Sequence, residues 1–198
     1  MTVSKIALYC ASCFCLVFLA NNVALADGNG AKSMSIGLGV GVSNTAEDAD
    51  FKASGTPANL YFDWNIDQDW LKFRFGFGTT ESTMSYTVWS KDWKHTLTSN
   101  MLYAAWRYDY DMNSLVDGLS SEAHFGLSQI TSELATNNGV AAQATSTLGT
   151  VFGAGVVYAF GDFGVGLQVD SHSGTAKFDN QSVATGSTQV QAAVTYSF

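Results

Sequence analysis

Apolar and polar residues alternate along most of this chain with a period of two, the pattern of extended strands that show one face to an apolar environment and the other to a polar one. The last ten residues display it most clearly. Val190, Ala192, Val194, Tyr196 and Phe198 take every second place, with Gln189, Gln191, Ala193, Thr195 and Ser197 between them. From the other end, Lys32 to Ser43 predicts a first strand, with Met34, Ile36, Leu38, Val40 and Val42 against Ser33, Ser35, Gly37, Gly39 and Gly41. Asn44 to Ala58 is polar and acidic, holds the sole proline, Pro57, and predicts a long loop. The second strand sets Leu60, Phe62, Trp64 and Ile66 against Tyr61, Asp63 and Asn65. Asp67-Gln68 predicts a tight turn, and the third strand returns with Leu71, Phe73, Phe75 and Phe77 against Lys72, Arg74, Gly76 and Gly78.

Thr80 to Thr96 is a second long connection. A fourth strand from about Leu97 to Tyr110 sets Leu102, Ala104, Trp106, Tyr108 and Tyr110 against Tyr103, Arg107 and Asp109. After a turn around Asp111 to Gly118, the fifth strand opposes Leu119, Ala123, Phe125 and Leu127 to Glu122, His124, Gly126 and Ser128. Gln129 to Ser146 predicts a third long loop. Between Leu148 and Val169 lies the cleanest hairpin, turning at Gly161-Asp162 and pairing Phe160 with Phe163; that register sets Gly155 opposite Gln168 and Gly153 opposite Asp170. Ser173 to Ser187 is the fourth long loop before the closing strand. The pattern gives eight antiparallel strands whose connections alternate short and long.

Such a chain can close in two ways. A soluble barrel of the lipocalin kind turns its apolar face inward; a membrane barrel turns it outward. The alternate face here carries Asp63, Lys72, Arg74, Arg107, Asp109, Glu122, His124 and Asp170 among many glycines, a composition suited to a crowded polar interior. Large aromatics, among them Trp64, Trp70, Trp106, Tyr158, Phe163 and Tyr196, cluster beside the short turns, as an interfacial girdle does. The expected fold is therefore all-β: a transmembrane eight-stranded antiparallel up-and-down β-barrel with short periplasmic turns and long extracellular loops.

Composition adds a leader and removes several chemistries. Met1 to Ala26 is expected to be a secretory signal peptide, with Lys5 in its charged region, an apolar run from Ile6 to Ala20, and Ala24-Leu25-Ala26 before Asp27. Residues 27–198 then form the barrel domain. All three cysteines, Cys10, Cys13 and Cys15, fall inside the leader, so the mature chain holds no disulfide or thiolate site. The remaining 172 residues carry 8 basic against 17 acidic side chains, a balance that argues against nucleic acid as a partner.

The opening MSIGLGVGVS and closing VQAAVTYSF segments, with Phe198 last and Tyr196 two residues earlier, resemble the small eight-stranded bacterial outer-membrane barrels of the OmpX, opacity-protein and OmpA-barrel group. That resemblance implies outer-membrane lipid and lipopolysaccharide as surroundings, a last strand read by the barrel insertion machinery, and no cofactor. No peptidoglycan-binding second domain is expected, because the chain stops at Phe198, and the long loops are expected to meet a host or cell-surface ligand.

Candidate chemistry lies in three places. Asp63, Lys72, Arg74, Arg107, Asp109, Glu122 and His124 sit at similar height near the short turns; they suit either a proton relay or ion path, or a charge-balanced plug, and the narrowness of eight strands favours the plug. His172 lies among Asp170, Ser171 and Ser173. Resemblance to lipid A deacylases of the PagL type would require His-x-Ser on one strand face, whereas here the adjacent serines alternate away, and a lone His reads as a solvated strand end. Asp109-x-Asp111-x-Asn113 lacks the glycine and glutamate of a calcium loop, and the three histidines lack zinc spacing, so no metal site is expected. Finally, the 80–96 connection concentrates Tyr86, Trp89 and Trp93 with Lys91 and Lys94. Its β-favouring residues predict a hairpin protruding past the membrane, serving as an adhesion edge or as an interfacial aromatic belt.

Overall fold

A computed structural model describes residues 34–46, 50–68, 70–137, 141–143, 147–178 and 181–198. The leader predicted at 1–26 and the start of the first strand at Lys32 lie outside the described residues. Within them are β1 (Met34–Ala46), β2 (Lys52–Gln68), β3 (Leu71–Val88), β4 (Lys91–Asp111), β5 (Leu119–Thr136), β6 (Ala141–Gln143), β7 (Thr147–Phe160), β8 (Phe163–Ser173), β9 (Thr175–Phe178), β10 (Gln181–Ala184) and β11 (Ser187–Ser197).

Eight of these close a ring. The order β4-β3-β2-β1-β11-β8-β7-β5 returns to its start through β4–β5 pairing, and every neighbour is antiparallel. The seam between first and last strand runs from Ser35↔Ser197 to Ala46↔Ser187 and is finished by Met34 and Phe198, which exchange backbone hydrogen bonds of 3.3 and 3.0 Å. A closed ring leaves no ladder edge along the wall, the condition for strands to stand in lipid. The apolar set faces out: Leu38 is 52% exposed, Leu127 56%, Phe152 60% and Leu167 56%, which excludes the inward-facing lipocalin arrangement. At the turn end, rings pass from strand to strand around the outside: Trp70 on Tyr108, Tyr108 on Phe125, Phe160 on Phe163, Phe163 on Tyr196 and Tyr196 on Phe198, with centroids 5.1–6.3 Å apart.

The predicted Leu148–Val169 register holds, including Phe160↔Phe163, Gly155↔Gln168 and Gly153↔Asp170. Several predicted loops are shorter than expected. β1 continues to Ala46 and β2 begins at Lys52, so most of the 44–58 segment is ladder; Pro57 falls at the register shift between Ser54 and Ala58, where a missing N–H costs no ladder bond. The first turn also lies further on, because Gln68 pairs with Leu71. β5 extends to Thr136 and accepts β6 alongside it, and the predicted fourth loop contains the small β9–β10 hairpin. Beyond the apolar band, side chains no longer need to alternate in hydropathy, yet the backbone ladder can continue, so these extensions leave no period-two signal.

Candidate functional site

The inward face is layered from the turn end to the loop end. In the lowest layer Lys72 Nζ lies 2.8 Å from Asp109, and Arg107 Nε 2.6 Å from the same carboxylate. Arg107 also bonds Asp63 and places Nη2 2.8 Å from Glu122. Arg74 donates to Asp63 at 2.7 Å and to Glu122 at 3.0 Å, and its guanidinium rests on the Tyr61 ring, 4.0 Å from the centroid. Three cations thus meet three carboxylates, and Asp63, Arg74, Arg107 and Glu122 are all buried. Burial of this kind is tolerable only when each charge has hydrogen-bonded partners, and here each has.

His124 joins this layer to the next. Its Nδ1 is 3.3 Å from Arg74 Nη1 and its Nε2 3.3 Å from Asp170 Oδ1. The tautomer protonated at Nε2 suits both neighbours. Asp170 accepts from Gln168 at 2.8 Å and from Asn59 across the lumen at 3.0 Å, while Tyr103 donates to Asn59 at 3.1 Å. Glycines make room for these large groups: a Cβ on Gly76 would enter the Tyr103 ring, and one on Gly153 would strike both His124 and Asp170. Further up, Gln191 donates to Gln189 at 2.7 Å and Gln189 to Ser187 at 3.1 Å.

His172 is not a solvated strand end. It is buried, with its ring edge-on to Tyr103 at 5.3 Å, because Tyr103 and the inward parity it shares with Asp170 carry it into the lumen. Its neighbour Ser171 points away and bonds Thr188, and His172 Nδ1 has no hydrogen-bond partner among the described residues. The Asp111–Asn113 segment caps a turn: Asn113 N donates to Asp111 Oδ1 and Gly118 N to Asn113 Oδ1, both at 2.7 Å. Among the described residues no group of three or more His, Cys, Asp and Glu has metal-binding geometry.

The top layer was not legible from periodicity. Phe51, Leu97, Ala176 and Phe178 are buried together, with Ala46, Met84, Leu134 and Val183 packed around them. These residues come from β1, β3, β4, β5, the segment before β2 and the β9–β10 hairpin, so an apolar cluster sits at the loop end of a polar lumen. Above it, β3 and β4 continue as a two-stranded hairpin to Val88↔Lys91. Tyr86 and Trp93 stand opposite each other in that ladder; Tyr86 stacks on His95 at 5.4 Å and bonds it at 2.8 Å. Trp89 forms the apex with Ser90, both at positive φ, and is 93% exposed.

Solved structures share this architecture at low identity. Neisserial surface protein A superposes with a TM-score of 0.61 at 16% identity, over 85% of this chain and 98% of its own. The N-terminal β-barrel domain of Pseudomonas aeruginosa OprF gives 0.53 at 12% identity, over 84% and 98%. Ail, the attachment invasion locus protein of Yersinia pestis, gives 0.50 at 13%, over 84% and 100%. The chain has the fold of the small eight-stranded outer-membrane barrels. No protein-family model and no curated protein sequence matches it.

Proposed function

We propose that this protein resides in the outer membrane as a non-enzymatic barrel with a plugged lumen, and that it acts through its loop end, which faces the cell exterior. One observation carries the reading. A two-stranded hairpin lifts an almost fully exposed indole, Trp89, clear of the barrel, and holds it in a left-handed turn that a non-glycine residue adopts only at a cost. An exposed tryptophan, with half-buried Trp93, Tyr86 and two lysines behind it, suits contact with a host or cell-surface ligand. A protein of the same fold, Ail, is the attachment invasion locus protein of Yersinia pestis. The apolar wall meets lipid and lipopolysaccharide, export uses the 1–26 leader, and β11 with Phe198 directly after it is the segment offered to the insertion machinery.

The plug reading is supported at two levels: the balanced ion cluster below and the apolar cluster above. Hydrolysis of lipid A finds no support at His172: the serines beside it on its own strand, Ser171 and Ser173, face away from the lumen, and its buried ring packs edge-on against Tyr103. The test is attachment of cells displaying the wild type or Trp89→Ala/Trp93→Ala to host cells and matrix. The double variant should insert normally and lose most attachment; equal binding to every surface tried rejects the adhesive role.

A further inference from the structure

The two edges of the β3–β4 hairpin are unlike. β2 accompanies β3 only to Lys52↔Thr83, and β5 accompanies β4 only to His95↔Thr136, so among the described residues Met84–Val88 have strand partners on β4 alone and Lys91–Lys94 on β3 alone. The β4 edge is occupied. Asn137 donates its backbone N–H to Lys94 O at 3.0 Å and its side-chain amide to Asp92 O at 2.8 Å, and Lys91, Asp92 and Lys94 line the strand with charge. Among the described residues the β3 edge beyond Thr83 has none of this protection: residues 84–88 read MSYTV, without charge, proline or glycine, the devices that normally blunt an exposed edge. Ser85, Tyr86 and Thr87 are exposed there. Tyr86 on His95 and Thr87 on Asp92 at 2.7 Å hold the ribbon in shape, so an added strand meets a preformed edge.

We propose that this β3 edge pairs with the same edge of a second copy carried on a facing membrane, joining two surfaces through an antiparallel ladder. The proposal deepens the surface-contact reading above and rests on its outward orientation. Strand direction selects the geometry. β3 runs from turn end to loop end, so two copies side by side in one membrane present their β3 edges parallel, whereas copies in facing membranes present them antiparallel, the more stable pairing per residue. A β3-to-β4 contact within one membrane is also antiparallel, but it meets the edge that Asn137 occupies. The sequence is complementary to itself: a register centred on Tyr86 uses only Met84–Val88, the part that β2 leaves open, and sets Tyr86 against its own copy, Ser85 against Thr87 and Met84 against Val88, with no like charges opposed.

The test uses the folded protein in phosphatidylcholine vesicles free of lipopolysaccharide, in two populations carrying donor and acceptor lipid dyes. Wild-type vesicles should cluster, seen as energy transfer between populations. Tyr86→Lys against itself and Tyr86→Glu against itself should each lose clustering at least tenfold, since the two-fold sets residue 86 opposite its own copy and brings like charges together. Mixing the Lys population with the Glu population should restore it, a recovery that neither misfolding nor general stickiness produces. Wild-type vesicles that never cluster, Tyr86→Lys vesicles that cluster as wild type, or mixed vesicles that fail to recover each overturn the proposal. The attachment assay on foreign surfaces reports on the broader reading alone, so wild type that attaches there but never clusters defeats only the self-pairing.

Discussion

Arg74 shows how a single residue is fixed by its neighbours. Its guanidinium spans Asp63 and Glu122, two carboxylates on different strands, and Arg107 touches both from the other side. Replacing Arg74 with methionine leaves these carboxylates sharing one cation in a buried site, a change that costs about 3–5 kcal/mol. Urea unfolding of the bilayer-embedded protein should show that loss, and adding Glu122→Gln should recover part of it through coupling between neighbours. If Arg74→Met lowers stability by less than about 1 kcal/mol, the cluster is not a structural plug. Glycine at 76 is held by the same crowding: Gly76→Val drives a branched side chain into the Tyr103 ring and should cost about 1–3 kcal/mol in the same measurement. Period two made the facing of Asp63, Arg74, Arg107, Glu122 and His124 legible in the sequence, because alternation fixes the side of the wall. It did not reveal Asn59 bonding Asp170 or Arg74 bonding Glu122, since those pairs meet only after the ring has closed.

At the scale of the element, the hairpin tip departs from local preference. A two-residue connection between twisted strands wants left-handed backbone at both positions, usually supplied by Asn-Gly, yet Trp89 and Ser90 hold φ of 52° and 59°. Trp89→Asn with Ser90→Gly should therefore stabilise the hairpin by about 1–2 kcal/mol while reducing attachment, read as slower exchange of the β3–β4 amides beside weaker surface binding. Slower attachment without any gain in protection would mean that the turn is not strained. The reach of β3 and β4 past the membrane was legible because Tyr86, Thr87, Val88 and Trp93 favour strands. The extensions of β1, β2 and β5 were not, because Ser, Thr, Asn and Ala continue a ladder as readily as they form a loop. The β9–β10 hairpin was hidden for another reason: Ala176 and Phe178 are buried by contact with Phe51 and Leu97, residues far away in sequence.

For the whole molecule, the order of the layers matters more than any one of them. A path through the lumen must pass the apolar cluster at the loop end and then the ion cluster near the turns, so the two act in series. Deleting residues 175–184 removes Ala176 and Phe178 from the upper cluster but leaves Arg74 and Arg107 paired with Asp63 and Glu122 below. Arg74→Met with Glu122→Gln loosens the lower seal while Phe51 and Phe178 remain packed above. Planar-bilayer recordings should thus find little conductance in the wild type or in either variant, and measurable current only when both changes are combined. The eight-stranded wall leaves an interior that side chains just fill, which limits even the combined variant to a narrow path. A steady channel in the hairpin deletion alone would show that the ion cluster does not block the lumen, and conductance in the unaltered protein would make a small pore the better account of this barrel.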